Sequence, residues 1–151
     1  MMRSLGSLGG RLYGSPSFFP EGESSIPAHP RELLEFPWVC HTSAASPKRP
    51  ITALGPENES FEFRPPQSMI VNDFACAAAL TIGGVGLAAL PEFLGEPAVA
   101  RGELVRLFPD WVVGGGKLSV VWPEAREGSP RIQRFVALSV ETFQDVGMSP
   151  R

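Results

Sequence analysis

The sequence predicts one compact domain of the α/β class, with helices packed against a mixed, mainly parallel sheet. Apolar runs typical of buried strands alternate with helical patterns along the second half of the chain. An apolar stripe at helical spacing marks one more helix near the carboxyl end. A length of 151 residues with 43% hydrophobic side chains is enough for one core and too little for two ordinary domains.

The first half of the chain predicts short elements separated by loops. A short strand at residues 12–13 runs into a Ser-Pro turn signal. A helical turn at residues 31–35 follows a proline that suits its first position, and an apolar strand at 38–40 comes next. Residues 51–54 and 59–63 have a hairpin pattern around a turn of four residues.

A strand and a capped helix are predicted around the middle of the chain. Residues 69–71 are apolar on both faces, as in a buried strand. Asn72 or Asp73 can cap the alanine-rich helix Phe74–Ile82, whose small side chains allow close packing on a sheet. Gly83 and Gly84 are expected to end this helix.

The remaining elements continue the alternation. We expect a buried strand at 85–90, a broken helix at 92–100 interrupted near Gly95 and Pro97, a strand at 104–108, a flexible glycine run at 114–116 and a last strand at 117–122. Ser129 and Pro130 then predict the start of a final helix. Its apolar face comprises Ile132, Phe135, Val136, Val140 and Phe143.

Composition excludes several classes of function. The net charge of −3 argues against a generic nucleic-acid surface, and the only short basic cluster, Lys48-Arg49, is interpreted as a solvated loop. No apolar run approaches the roughly 20 residues that span a bilayer. Residues 1–15 lack the pattern of a targeting segment. We therefore expect a cytoplasmic protein that makes no contact with a membrane.

The two cysteines predict neither a metal site nor a redox pair. Cys40 and Cys76 are too far apart for a metal knuckle or a CxxC motif, and both stand in apolar runs. We expect both thiols to be reduced and structural. His29 with Cys40 and His41 is also a poor metal site, because no fourth ligand stands at a useful spacing.

Enzyme motifs are weak in this sequence. Gly84-Val-Gly86-Leu-Ala-Ala89 fits a variant of the dinucleotide-binding fingerprint, but that motif needs a strand before the glycines and a helix after them. Here the predicted helix comes first. No nucleophile elbow is present, and a triad using His41 and Asp73 has no specific support. We expect no catalysis and no cofactor.

Polar residues gather where the predicted strands end. In open α/β sheets, ligands bind beyond the carboxyl ends of strands. Hydroxyl, amide and backbone groups there could surround a small molecule above an apolar floor. The same residues are also common in turns and caps, and spacing alone favours that plainer interpretation. The candidate binding residues are Ser15, His41, Thr42, Ser43, Asn72, Asp73 and Pro91.

Two long stretches carry a family resemblance. They read VNDFACAAALTIGGVGLAALPEFLGEPAVARGELVRLFPDW and LSVVWPEAREGSPRIQRFVALSVETF, and the upstream RLYGSPSFFPEG and PAHPRELLEFPWV fit the same pattern. Together they closely resemble the C-terminal half of LysR-type transcriptional regulators. The resemblance runs from about Leu5 to Phe143. It implies the effector-binding domain of such a regulator, with the fold of periplasmic binding proteins of type 2.

In that fold, two α/β subdomains hold a small molecule between them. The resemblance implies that residues 10–113 form the second subdomain, and that the strand and helix of 117–145 return to a first subdomain that is otherwise missing. The helix-turn-helix DNA-binding domain has no counterpart here, so DNA would be bound only through a domain absent from this chain.

Two hypotheses follow from the resemblance. The first is an N-terminally truncated fragment that senses a small-molecule effector to control transcription. The second is an interaction fragment that binds no ligand and associates with a full-length regulator. In either case we expect self-association or association with a full-length regulator, because the apolar face of the last helix would lack its complete partner.

Overall fold

The protein has an α/β fold. A computed structural model describes residues 1–43, 50–66 and 69–145 of the chain. The strands are β1 (Met2–Gly14), β2 (Val39–His41), β3 (Ile51–Leu54), β4 (Ser60–Phe63), β5 (Met69–Val71), β6 (Ala88–Pro91), β7 (Val105–Leu107) and β8 (Val112–Val121). The α-helices are α1 (Phe74–Ile82), α2 (Glu92–Ala100) and α3 (Pro130–Asp145). Short 3-10 helices occupy Pro16–Phe18, Gly22–Ser25, Pro30–Glu35, Pro56–Asn58 and Glu124–Arg126.

The chain divides into two compact units. The larger unit is Gly9–Gly114, and the smaller unit consists of Met1–Leu8 and Gly115–Arg151. Strands β1 and β8 each have residues in both units.

The sheet is mixed, as predicted, but its strand directions differ from the expected mainly parallel order. One sheet has the order β4-β3-β8-β1-β6, with β7 also paired to β1. The pairs β1–β6, β1–β7, β3–β4 and β3–β8 are antiparallel. Parallel pairing joins β2 to β5, and an isolated parallel bridge joins Trp38 to Leu87. The parallel part of the larger unit is therefore β5, β2 and β6.

Strand β1 separates two hydrophobic clusters of the larger unit. Successive side chains of a strand point to opposite faces, so Leu12 and Tyr13 pack on different sides. Leu12 lies in a cluster with Trp38 and Leu87, and Tyr13 lies in another with Ala77. All of these side chains are buried.

Helix α1 has the predicted bounds and packs closely through its alanines. Ala77 and Ala78 are buried, whereas the outward side chains of the helix are exposed. The only polar side chain within the helix, Thr81, is buried and donates its hydroxyl to the carbonyl of Ala77 at 2.8 Å. This bond satisfies the hydroxyl inside an apolar environment.

Three expectations from the sequence are corrected. Strand β1 begins at Met2 and is far longer than residues 12–13, because its glycine- and serine-rich first half pairs with the distant β8. The glycine run 114–116 belongs to β8 instead of forming a flexible link. Helix α2 is continuous through Gly95 and Pro97, and Pro97 lies within it.

The Tyr13 ring packs directly against the backbone of helix α2 at Gly95. A Cβ atom at Gly95 would lie 2.1 Å from the Tyr13 ring, so only glycine allows this approach. The Tyr13 hydroxyl donates to Glu96 Oε1 at 2.6 Å, and Arg106 Nε donates to the same oxygen at 2.9 Å. A second nitrogen of Arg106 contacts Glu96 Oε2. Helix α2 is thus joined to β1 and β7 through one carboxylate.

Burial and charge act on this network in opposite directions. Burial, and then the hydrogen bond to Glu96, raise the pKa of the Tyr13 phenol well above its usual range. Burial alone would raise the pKa of Glu96, but the hydrogen bonds from Arg106 and Tyr13 outweigh it and lower this pKa below its ordinary value. Glu96 is therefore the ionised centre of the network at neutral pH.

The Gly95→Ala variant tests the close packing of the Tyr13 ring against helix α2. Alanine usually stabilises an ordinary helical position relative to glycine, but here overpacking against the ring should lower the free energy of unfolding by about 1–3 kcal/mol. Urea unfolding measures the change. Gly128→Ala is the control, because a Cβ at Gly128 meets nothing within 4 Å. A more stable Gly95→Ala variant would show that the Tyr13 ring can move to make room for the methyl group without a loss in the free energy of unfolding.

The Glu96→Gln variant tests the ion network through pH. A lowered native pKa contributes stability above the unfolded pKa of about 4.3, and this contribution is lost as the pH falls through the native pKa. Glu96→Gln should therefore be less stable than the unchanged protein at pH 7, and the difference should shrink in acid. Urea unfolding at several pH values measures this, with exposed Glu35→Gln as control. A difference that does not depend on pH would contradict the assignment.

Candidate functional site

A glycine turn connects helix α1 to strand β6. Gly83 is the C-cap of α1, and Gly84 has φ of +79°, which favours glycine. Gly86 serves a different purpose, because a Cβ there would lie 2.8 Å from the carbonyl oxygen of Pro37. The chain therefore approaches the start of β2 closely enough for Leu87 N to donate to Pro37 O at 2.9 Å and Val39 N to Leu87 O at 2.8 Å.

The order of elements around these glycines is the one predicted. Helix α1 precedes them and strand β6 follows them. A dinucleotide-binding fingerprint needs the reverse order, so that the start of a helix meets the pyrophosphate. The glycines of this turn instead serve the end of a helix and the contact with β2.

Three parallel strands end at one edge of the larger unit. Strands β2 and β5 are in register from Val39 with Met69 to His41 with Val71. The bridge between Trp38 and Leu87 gives β6 the same direction as β2. The carboxyl ends of these strands carry the candidate residues His41, Thr42, Ser43, Asn72, Asp73 and Pro91.

His41 forms a flat platform with Phe74. The two rings are stacked, with centroids 4.0 Å apart and planes 10° from parallel. His41 Nδ1 lies 2.8 Å from the Ser43 hydroxyl and accepts from the Ser43 backbone N–H at 3.2 Å. The backbone N–H of Thr42 donates to Val71 at 2.8 Å, which joins the end of β2 to the end of β5. The geometry brings residues 41–43 next to residues 72–74.

Asp73 and Asn72 have different tasks at this edge. Asp73 Oδ1 accepts from the backbone N–H of Cys76 at 2.8 Å, so Asp73 caps helix α1. The side chains of Asn72 and Thr42 are exposed, and neither makes a hydrogen bond to the residues that the structure describes. Both are therefore available to a ligand as donors and acceptors.

Ser15 and Pro91 lie at opposite ends of an antiparallel pair. Gly10 is opposite Pro91, and β1 runs on from there away from Pro91 towards Ser15. Ser15 is buried and caps the following 3-10 helix, with its hydroxyl 2.9 Å from that of Ser17. The structure therefore does not bring Ser15 together with the other candidates. Pro91 is at their edge, but its side chain is buried.

Cys40, Cys76 and His29 do not form a cluster with the candidate residues at this edge. Cys40 is buried, which raises the pKa of its thiol, but Cys76 is exposed, contrary to expectation. His29 packs against Phe61 and Trp111 and lies 3.5 Å from Glu59. No group of three or more metal-ligating side chains occurs within 1–43, 50–66 and 69–145. Lys48 and Arg49 lie outside those ranges.

The sequence interpretation missed Phe74. Its position in the first turn of α1, directly after the capping residue, is the signal that could have identified it. An aromatic side chain there stands beside the end of β5 and can reach the neighbouring strand β2.

The family is decided by comparison with known proteins. The family model of the LysR substrate binding domain matches residues 15–144. The chain belongs to this family. The HTH-type transcriptional regulator PtxR of Pseudomonas aeruginosa is 29% identical over 107 residues, which are 71% of this chain and 34% of PtxR. The chain thus spans about a third of the length of that regulator.

Solved LysR-type structures share the fold. The regulatory domain of AphB from Vibrio vulnificus has a TM-score of 0.73 and 18% identity, over 94% of this chain and 69% of that domain. Full-length AphB of Vibrio cholerae has a TM-score of 0.78 and 13% identity, over 95% of this chain and 48% of that protein. CrgA of Neisseria meningitidis has a TM-score of 0.76 and 18% identity, over 95% of this chain and 47% of CrgA. The fold is that of the LysR regulatory domains, of the type 2 periplasmic-binding-protein class.

The matched PtxR, AphB and CrgA are transcriptional regulators. Among the residues that the structure describes, no helix combines the length and apolarity needed to cross a bilayer.

The Asp73→Ala variant tests the cap that holds Asn72 at the start of α1. Loss of the hydrogen bond to Cys76 should lower the free energy of unfolding by about 1 kcal/mol. Asp73→Asn is the matched control, because asparagine caps helices about as well as aspartate. Urea unfolding compares the two variants, and an equal loss in both would show that the carboxylate acts through its charge instead.

Proposed function

We propose that this chain is the effector-sensing part of a LysR-type transcriptional regulator, binding a small molecule at the carboxyl edge of β2, β5 and β6. The observation that carries the proposal is the pair of exposed side chains, Thr42 and Asn72, beside the stacked rings of His41 and Phe74. Membership of the LysR substrate binding domain family supports ligand binding as the task of this fold.

The chemistry of the edge suits a small molecule with a flat apolar part and several polar groups. The hydroxyls of Thr42 and Ser43 and the amide of Asn72 can donate and accept hydrogen bonds. The rings of His41 and Phe74 offer an apolar face. Asp73 and Pro91 act through the backbone that they position, since Asp73 caps α1 and the side chain of Pro91 is buried.

The proposed role is regulatory and not catalytic. PtxR, AphB and CrgA are transcriptional regulators, and no step of the proposal needs a nucleophile, metal or cofactor. The net charge of −3 suits a sensor better than a surface for phosphates, so DNA contact is assigned to a helix-turn-helix domain outside these residues. A regulator of this kind acts in the cytoplasm.

Ligand binding can be tested with a panel of metabolites that includes aromatic acids, amino acids and sugar acids. Thermal unfolding should identify a compound that raises the midpoint, and calorimetry should give its Kd. Asn72→Ala and Thr42→Ala should each weaken binding by about tenfold, the equivalent of one lost hydrogen bond.

Ser15→Ala is the matched control, because Ser15 lies at the opposite edge of the larger unit. Its Kd should equal that of the unchanged protein. Equal weakening in Ser15→Ala and Asn72→Ala would place the ligand elsewhere, and a panel without any stabilising compound would count against an effector.

A further inference from the structure

We propose that His41 is the residue through which pH regulates the proposed effector site. Its uncharged ring holds Ser43 at the carboxyl edge of β2, and protonation of the ring releases Ser43 and weakens effector binding. The inference rests on the proposed function, because it concerns the regulation of that same site. It gives His41 a task that its stacking on Phe74 does not require.

Two donors of Ser43 meet one nitrogen of His41. The backbone N–H of Ser43 donates to His41 Nδ1 at 3.2 Å, and the Ser43 hydroxyl oxygen lies 2.8 Å from the same nitrogen. A backbone N–H can only donate, so it binds a ring nitrogen that keeps its lone pair. The contact therefore selects the neutral form of His41 with its proton on Nε2.

Protonation of His41 reverses the role of Nδ1. Both nitrogens of a charged imidazole are donors, so Nδ1 can no longer accept from the Ser43 backbone. The Ser43 hydroxyl can still accept from the ring, but the backbone N–H of Ser43 then faces another donor. The turn therefore loses the bond that fixes Ser43 beside His41.

Strand β2 itself does not depend on this charge. The backbone N–H of Thr42 donates to the carbonyl of Val71 at 2.8 Å, and His41 pairs with Val71 in the ladder of β2 and β5. Neither contact involves a titratable group. In acid the strand thus keeps its place, whereas the hydroxyl of Ser43, which the proposed function assigns to the effector, moves away from the edge.

Few charged groups face His41 from the elements that pack against β2. Strands β5 and β6 contain no titratable side chain, and Glu92, which follows β6, is paired with Arg11. In α1 the one titratable side chain is the exposed thiol of Cys76, and Asp73 caps the helix through its Oδ1. Within 1–43, 50–66 and 69–145, no carboxylate forms an ion pair with His41.

The direction of the pH effect follows from these contacts. Histidine is the side chain whose charge ordinarily changes between pH 5 and pH 8, and the His41 ring is half-buried, so solvent protons reach it. The form that binds the effector carries one proton fewer than the open form. Effector affinity is therefore complete at the alkaline end of this range and falls as the pH falls.

The second histidine of the chain has a similar cap at another place. His29 Nδ1 accepts from the backbone N–H of Arg31, also two residues further on, at 3.1 Å. The His29 ring packs against Phe61 and Trp111, away from the candidate residues. His29 is thus a matched control for the charge of His41.

Nuclear magnetic resonance of the full 151-residue chain tests the proposal without a ligand. Proton–nitrogen correlation spectra show which ring nitrogen carries a proton, and His29→Asn assigns the two rings. At pH 8 the His41 ring should be protonated on Nε2 alone. As the pH falls to 5, the Ser43 amide proton should move upfield together with the titration of His41, because it loses its hydrogen bond. A proton on Nδ1 at pH 8, or a Ser43 amide that does not follow His41, would overturn the proposal.

Affinity measurements test the consequence for binding. The probe is the compound without an ionisable group that gives the largest rise in melting temperature in the metabolite panel at pH 8. Its Kd should be about fivefold higher at pH 5, the equivalent of one hydrogen bond of about 1 kcal/mol. An unchanged Kd would refute regulation through His41. A panel without a binder would count against the proposed function, whereas the spectra would still decide the state of His41.

Three variants separate the charge of His41 from its packing. Asparagine can accept from the backbone N–H two residues further on and does not titrate, so His41→Asn should have a Kd that does not depend on pH. His41→Phe keeps a ring beside Phe74 but has no acceptor, so its Kd at pH 8 should be about fivefold higher and equally independent of pH. His29→Asn should keep the pH dependence of the unchanged chain. Persistence of the pH dependence in His41→Asn, or its loss in His29→Asn, would contradict the assignment to His41.

Discussion

The backbone contact between the glycine turn and the start of β2 is the constraint on which the larger unit depends. Gly86 lets the chain pass within hydrogen-bonding distance of Pro37, and Leu87 then both donates to Pro37 and accepts from Val39. These bonds satisfy backbone groups inside the core and set β6 parallel to β2. The end of α1 and the edge that carries the candidate site follow from this one contact.

Local signals in the sequence predicted the elements that local forces stabilise. The cap at Asp73, the alanines of α1 and the glycines after Ile82 show in the sequence where that helix begins and ends. The β3–β4 hairpin and the stripe of α3 are of the same kind. In each case the residues that form the pattern are neighbours in sequence.

Pairing between distant segments was not predictable in this way. The first half of β1 is rich in glycine and serine, so its strand conformation depends on β8, more than 100 residues away. The expectation that Ser15 lies beside the other candidate residues differs from the structure for a related reason. The direction of a strand is set by the sheet and not by the residues at the strand end. The contact between Phe74 and His41 could not be predicted either, because it exists only where β2 lies beside β5, and the sequence does not show that pairing.

The alternation of Leu12 and Tyr13 along β1 has a consequence for how the larger unit unfolds. One strand forms a wall of both hydrophobic clusters, so neither cluster can lose it while the other stays intact. The ion network on Glu96 ties the same strand to α2 and β7. We therefore expect the two cores to melt together in one cooperative transition, without a half-folded intermediate that keeps only one of them.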